Sequence, residues 1–436
     1  MILEIPVSRI PITWMFFAAL FCDVAHASSA PLQQLYIDEV AQLRAQLKVR
    51  QAFSFLENEL EQSAKDLIVL NEIPSPPFKE QARAARFAKY LTTSGLSDVW
   101  IDEVGNVIGR RPGTRGDKTI AYSAHLDTVF PEGTDVKVRR EKDKYFAPGI
   151  GDNSRGLVAV LEVLRALQFA AIQTEADILF IGNVGEEGLG DLRGVKYLFR
   201  EDSKLAIDTL IAIDGGNSQR IVYGGVGSHR YRVKFLGPGG HSWGAFGMAN
   251  PHHALGRGIH YFIEKADQLT SQGEKTSYNV GRIGGGTSVN SIPFESWLEV
   301  DLRSGNQNNL DKIDKLFRQS MKVALEQENE ARRLGPPLAL EVAQVGDRPA
   351  ALGDSNSKLV QRALAATASF GIRPSLEISS TDANTPISKG IPAITLSRGG
   401  RSGRAHSLDE WWQDVDSYRS VQIGILVLLA EAGLVQ

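Results

Sequence analysis

The sequence predicts an α/β protein, a mostly parallel sheet flanked by helices, with a two-layer α+β lid domain inserted into it. Three observations predict this. Short apolar runs at 119–124, 176–184, 209–213 and 393–397 alternate with helical patterns, as expected where parallel strands are joined by helices. The stretch 157–167 is apolar over most of its surface and reads as a buried helix. From about 228 to 345 the pattern changes to half-exposed strands in the order strand, helix, strand, strand, helix, strand, which marks the inserted domain. The expected division is a leader at 1–27, a main domain from 31–227 and 346–436, and a lid at 228–345.

The first segment carries an apolar run at 12–22, preceded by Arg9 and followed by Ala25-His26-Ala27. This is the pattern of a secretory signal peptide cleaved after Ala27, so the chain is expected to be exported, to a periplasm or beyond the cell. The run is too short for a permanent bilayer span, which needs ~20 residues, so no stable span is expected after processing. The single cysteine, Cys22, lies inside the leader, so the processed chain is expected to hold no disulfide. Its metal ligands are then confined to His, Asp and Glu.

Residues 31–70 have helical periodicity up to Ile73-Pro74-Ser75-Pro76-Pro77, where the prolines stop it. A helix is predicted at 81–94, then strands at 99–102 and 106–109. Within the lid, strands are predicted at 230–235, 277–283, 296–302 and 338–343, with helices at 251–269 and 310–328. The main domain resumes with a helix at 357–371. The glycine-rich pieces match neither a dinucleotide fingerprint nor a phosphate loop. A formal charge of -3 leaves no basic groove, so nucleic acid is not an expected partner.

The polar clusters follow the apolar strands. His125-Leu126-Asp127, Gly185-Glu186-Glu187-Gly188, Asp214-Gly215-Gly216 and Ala405-His406 each fall just after such a run, and Asp152 begins the loop that enters the buried helix. Ligands collect at the carboxyl ends of parallel strands. His125 and Asp127, two apart on an extended chain, point to one side, so Asp127 is placed to accept the imidazole N–H that metal binding leaves over. Glu186 and Glu187 point to opposite sides, so one suits a metal and the other a water. Two divalent ions, the carboxylates of Asp152, Glu187 and Asp214, and one hydroxide sum to zero charge, which a cleft floor tolerates. Each short motif alone is weak, and the remaining histidines, such as His229 and His252, are expected at surfaces or packing edges.

Together with Gly240-His241-Ser242, Thr381-Asp382-Ala383-Asn384 and His406-Ser407-Leu408-Asp409-Glu410, these motifs resemble, in order, the peptidase T, glutamate carboxypeptidase and aminoacylase family of dinuclear zinc metallopeptidases. The resemblance covers the chain from about residue 70 to its end. It implies a zinc exopeptidase-like fold and two divalent ions, zinc by expectation. It implies that His125 and Asp214 hold one, that Glu187 and His406 hold the other, and that Asp152 bridges them. Glu186 becomes the general base that activates the bridging water, Asp127 orients His125, and a cis peptide is expected at Asp152-Asn153. The lid is expected to form a homodimer and to carry His241 as an oxyanion-stabilising residue in the partner's site. Asn290 and Arg303 are expected to hold a substrate carboxylate. Trp243 and Phe246, after His241, are bulkier than in many relatives, and either line a side-chain pocket or pack the lid.

These expectations describe an exopeptidase acting on short peptides, or alternatively a deacylase acting on N-acyl amino acids with the same metals and base. An exported binding protein without catalysis would be expected to lack ligands or the base, and here all are present.

Overall fold

The computed structural model describes residues 31–435, so the expected leader at 1–27 and Cys22 lie outside the described residues. The long helical stretch at the start is three helices, Gln34–Ala45, Leu47–Asn58 and Leu60–Asn71, instead of one. Gln46 turns to ψ 135 and Glu59 to φ -98, ψ 12. Neither break has a glycine or proline, and Val49, Ala52, Phe53 and Leu56 of the middle helix are buried, so packing bends the chain.

The main sheet has nine strands. Eight run side by side in the order Asp98–Ile101, Val107–Arg111, Asp177–Asn183, Thr119–His125, Thr209–Ile213, Ala393–Leu396, Arg220–Gly225 and Ala351–Leu352, and Ser375–Ser379 also pairs with Arg220–Gly225. The middle four, Asp177–Asn183 to Ala393–Leu396, are mutually parallel, with His125 opposite Asn183 and Leu396 opposite Ile213. These are the strands read as continuous apolar runs, because both faces are covered. Toward the edges the pairing turns antiparallel. The helix Gly156–Phe169 has Leu157, Val158, Val160, Leu161, Val163, Leu164 and Leu167 at 0 % exposure, which explains its uniform hydrophobicity.

The inserted domain is an antiparallel sheet in the order Thr276–Gly285, Glu295–Ser304, Gly227–Leu236, Ala339–Arg348, covered on one face by the helices Pro251–Thr270 and Gln307–Ala331. Its central strands alternate between buried and half-buried residues, as a one-sided sheet requires. Both helices start at an asparagine cap: Asn250 accepts the His252 N–H at 2.9 Å and Asn306 that of Asn309 at 3.2 Å. Phe262 meets Phe317 edge to face, 5.1 Å between centroids, in the middle of this core. The domain's first strand begins at Gly227 and its last ends at Arg348, so the expected seam at 345/346 falls inside the last strand. That difference carries a functional residue, Arg348.

Candidate metal centre

The carboxyl ends of the four parallel strands meet at one cleft. His125 is the last residue of its strand, Glu186 and Glu187 follow Asp177–Asn183, Asp214 follows Thr209–Ile213, and His406 lies beyond Ala393–Leu396, on the loop between the short strands Arg401–Gly403 and Trp411–Gln413. Gly185, at φ +67, makes the turn from strand to Glu186. Asp152 sits in the turn Ile150–Arg155 with extended-type angles (φ -110, ψ 91), and the bond to Asn153 is cis, as expected.

The side chains form two groups that share Asp152. His125, Asp152 and Asp214 have ligand atoms within 4.8 Å of one another, and so have Asp152, Glu187 and His406. Asp152 Oδ1 is 3.3 Å from His125 Nε2, and Oδ2 is 3.4 Å from His406 Nε2, so its two oxygens face the two groups. His406 Nε2 is also 3.1 Å from Glu187 Oε1. His125 Nε2 and Asp152 Oδ1 are buried, yet neither has a hydrogen-bond partner. Buried polar atoms are normally satisfied, and a cation between these would satisfy them both. The donor set therefore fits a pair of divalent ions.

His125, Glu186 and Glu187 also lie within 4.8 Å, so distance alone does not distinguish the two glutamates. Their partners do, beginning with Arg348. It is 4 % exposed, and its Nη1 donates to Glu186 Oε1 at 2.9 Å and to Ser380 Oγ at 2.9 Å, while Nη2 bonds the Glu186 carbonyl. Glu186 is thereby paired with a guanidinium, whereas Glu187 faces His406.

Asp127 meets the imidazole through its backbone carbonyl, where its spacing predicts the carboxylate. The His125 ring Nδ1 lies 3.0 Å from the Asp127 carbonyl oxygen and 3.6 Å from its carboxylate. The carboxylate accepts the N–H groups of Glu186 (2.9 Å) and Glu187 (2.8 Å), so Asp127 fixes the Glu-Glu loop as well as the imidazole. Glu410 plays the same part for the loop bearing Asp152. It accepts the N–H groups of Gly149 at 3.0 Å, Gly151 at 2.9 Å and Asp152 at 2.8 Å.

Burial dominates the electrostatics. It pushes Glu186 well above the usual carboxylate range, against the opposing charge of Arg348. It pushes Asp382, whose Oδ2 accepts from Asn183 at 2.8 Å, up to about 6, and Glu410 up to about 7. Burial opposes ionisation of Asp152 too, but the close imidazoles of His125 and His406 and the charge of Arg398 draw it well below that range. The carboxylates of Asp152 and Glu187 beside it raise His406 to about 10.

The cleft has a volume of about 510 Å³ and is lined by Arg220, Arg230, Arg303, Arg348 and Arg398 among others. Arg303 therefore lines the cleft, and its Nε bonds Asp301 Oδ2 at 2.6 Å. His241 and Asn290 are not among the cleft residues. They are exposed on the lid, joined by a bond from Ser242 N to the Asn290 carbonyl at 3.0 Å. Trp243 and Phe246 beside them are 87 % and 71 % exposed, so neither belongs to the lid core, and Phe246 meets the lid under the Arg333 guanidinium, 4.8 Å from its ring centroid. Arg348, Arg398 and Glu410 were given no role from the sequence. Glu410 stood inside a quoted motif, but nothing local marks a buried arginine or names its partner.

A histidine and carboxylate cluster at the carboxyl ends of a parallel sheet, with a further carboxylate on the adjoining loop, is a donor set suited to metal-dependent hydrolysis. The chain belongs to peptidase family M20/M25/M40, whose pattern matches residues 121–430. It is 26% identical over 271 residues to carboxypeptidase G2 of a Pseudomonas species, a match spanning 60% of this chain and 60% of that relative. Among solved structures it resembles aminopeptidase PepT from Bacillus cereus, with TM-score 0.65, 22% identity and coverage of 85% of this chain and 98% of that one. It also resembles the di-peptidase Dug1p from Saccharomyces cerevisiae, with TM-score 0.69, 14% identity and coverage of 88% and 98%.

Proposed function

We propose that the protein is a zinc-dependent exopeptidase that hydrolyses short peptides. The observation that carries this reading is Asp152, whose two oxygens face His125 and His406 and join two three-residue groups, with Glu186 on the adjoining loop. His125 and Asp214 would hold one ion, Glu187 and His406 the other, and Asp152 both. Divalent ions there would supply a Lewis acid for the scissile carbonyl and make the attacking water more acidic.

The protein's own groups supply the rest. Glu186 takes the proton of the attacking water and passes it to the leaving amine. Its burial suits that task, since a raised pKa favours holding the proton between the two transfers. Arg348 holds one oxygen of Glu186 and its carbonyl, and Asp127 holds the N–H, so the base is anchored on both sides. Arg303 lines a cleft rich in guanidinium groups, which favours a substrate ending in a carboxylate. Asn290 and His241, exposed on the lid, would act on the cleft of a second copy, with Trp243 and Phe246 beside them. This supports a homodimer through the lid. Export rests on residues 1–27 alone.

An arginine-lined cleft suits an N-acyl amino acid equally well, and this is the second reading. The test is hydrolysis of free-amine tripeptides and N-acetyl amino acids by wild type and Glu186→Ala, stripped of metal and reloaded with zinc. Reloading should restore the wild type, while Glu186→Ala should bind the same metal and lose about 10²- to 10⁴-fold in rate. Activity on the acylated amino acids alone would overturn the peptidase reading. No activity on either, with zinc bound, would remove both substrate classes.

A further inference from the structure

Arg398 stands against the candidate metal centre in a way that its neighbours in sequence do not suggest. Its side chain is 4 % exposed, and its Nη1 lies 3.0 Å from Asp214 Oδ1 and 3.7 Å from Asp152 Oδ1. Nη2 donates to Ser402 Oγ at 3.3 Å, and Nε is buried without a partner. Asp214 Oδ1 also accepts the Gly215 N–H, at 2.5 Å. Both hydrogen bonds to the Asp214 carboxylate therefore end on one oxygen. A carboxylate oxygen offers about two acceptor positions, so Oδ1 is filled and Oδ2 is left over.

We propose that Arg398 is a positioning residue that reserves Asp214 Oδ1 and so makes Asp214 a one-oxygen ligand. The inference rests on the metal-centre reading given above. A carboxylate that binds through one oxygen occupies one coordination position instead of two, and an open position is what separates a catalytic site from a closed structural one. The bonding also orients the ligand, because a planar guanidinium fixes both the distance and the plane of the carboxylate it holds. The charge of Arg398 is answered locally. A Cβ added to Gly151 would sit 3.2 Å from Arg398 Nη2 and 3.0 Å from Glu410 Oε1, so the buried guanidinium and the buried carboxylate flank the same glycine. Replacing Arg398 by an apolar residue of similar length would free Oδ1 to turn to the ion.

Cobalt(II) tests this without reference to turnover, because its d–d band weakens as its coordination number rises. Wild type, Arg398→Met and Arg398→Lys are loaded with cobalt, metal content is measured, and the band is recorded per bound ion. The expected result is an unchanged metal content in all three, a loss of band intensity in Arg398→Met, and a band in Arg398→Lys close to that of wild type, since an ammonium can donate to the same oxygen. An identical band in Arg398→Met and wild type would overturn the proposal, as would loss of an ion from Arg398→Met, which would make Arg398 a general support of the site. The crystal structure of the zinc-loaded wild type gives a check that no folding defect can blur. Asp214 should meet its ion through Oδ2 with Arg398 on Oδ1, and both oxygens on the ion would refute the assignment. Failure of wild type to bind cobalt or zinc would instead overturn the metal-centre reading, and this proposal with it.

Discussion

Glu410 holds the loop of the shared ligand, and removing its oxygens one at a time should loosen that loop by calculable amounts. Its carboxylate is 1 % exposed and accepts three N–H groups, two on Oε1 from Gly151 and Asp152 and one on Oε2 from Gly149. Glu410→Gln can keep its carbonyl oxygen in the place of Oε1 and loses only the bond to Gly149. Glu410→Ala strands all three donors, one of them the N–H of Asp152 itself. A buried donor left unpaired costs about 1–3 kcal/mol. At 25 °C this corresponds to amide exchange about 5- to 150-fold faster where the opening is local. Hydrogen exchange followed by mass spectrometry on peptides covering 147–156 reads it directly, with metal removed by chelator. Glu410→Gln should speed exchange at Gly149 alone, and Glu410→Ala should speed it at Gly149, Gly151 and Asp152 and lower zinc affinity by about 10- to 100-fold, the usual effect of losing a residue that orients a ligand. If the two variants exchange alike, or if Glu410→Ala keeps wild-type zinc affinity, Glu410 is not what holds the Asp152 loop.

Further outcomes are expected. If His241 acts across a dimer, Glu186→Ala and His241→Ala proteins, each nearly inactive, should recover roughly a quarter of wild-type activity when mixed and allowed to exchange subunits, because half of the random dimers then contain one complete site; no recovery would place His241 outside the partner's cleft. Arg303→Ala should raise KM about 10- to 150-fold for substrates with a free carboxylate, with kcat little changed, since it removes a charge-assisted hydrogen bond made in ground and transition state alike; an equal effect on substrates with a blocked carboxyl group would refute that role. His229 lies 3.5 Å from Asp314 and 3.4 Å from Asp347, and these two carboxylates raise it to about 9, while Tyr231 and Arg318 also face Asp314. A histidine raised above its unfolded value of about 6.5 adds stability that is complete below that pH and is lost as pH climbs through about 9; urea unfolding of the wild type should weaken over that interval, and His229→Gln should flatten the change.

The class of fold and the candidate ligands were legible in the sequence because their signals are local. Each ligand cluster directly follows an apolar run, so the strand and the residue at its carboxyl end are read together, and His125, Glu187 and Asp214 lie where that reading places them. The lid was legible for the same reason, since its strands keep one face half exposed and alternate accordingly. The breaks at Gln46 and Glu59 were not, because no glycine or proline marks them and the bends follow from packing.

What the tertiary structure alone decided is how the buried charges pair. Arg348 meets Glu186 across 162 positions of chain, Arg398 meets Asp214 across 184, and Glu410 meets the Asp152 N–H across 258. A buried charge must find a partner, but local sequence does not say which, since the spatial order of the strands determines who is within reach. The same holds for His241 and Asn290, which the sequence supplies as chemical groups and the fold carries to an exposed rim of the lid, outside the cleft of their own chain. The sequence by itself therefore determined the candidate ligands and the chemistry they suit, through strand ends and residue types. The fold decided which oxygens remain open to metal and substrate, because the guanidinium and amide groups that occupy the others come from distant segments.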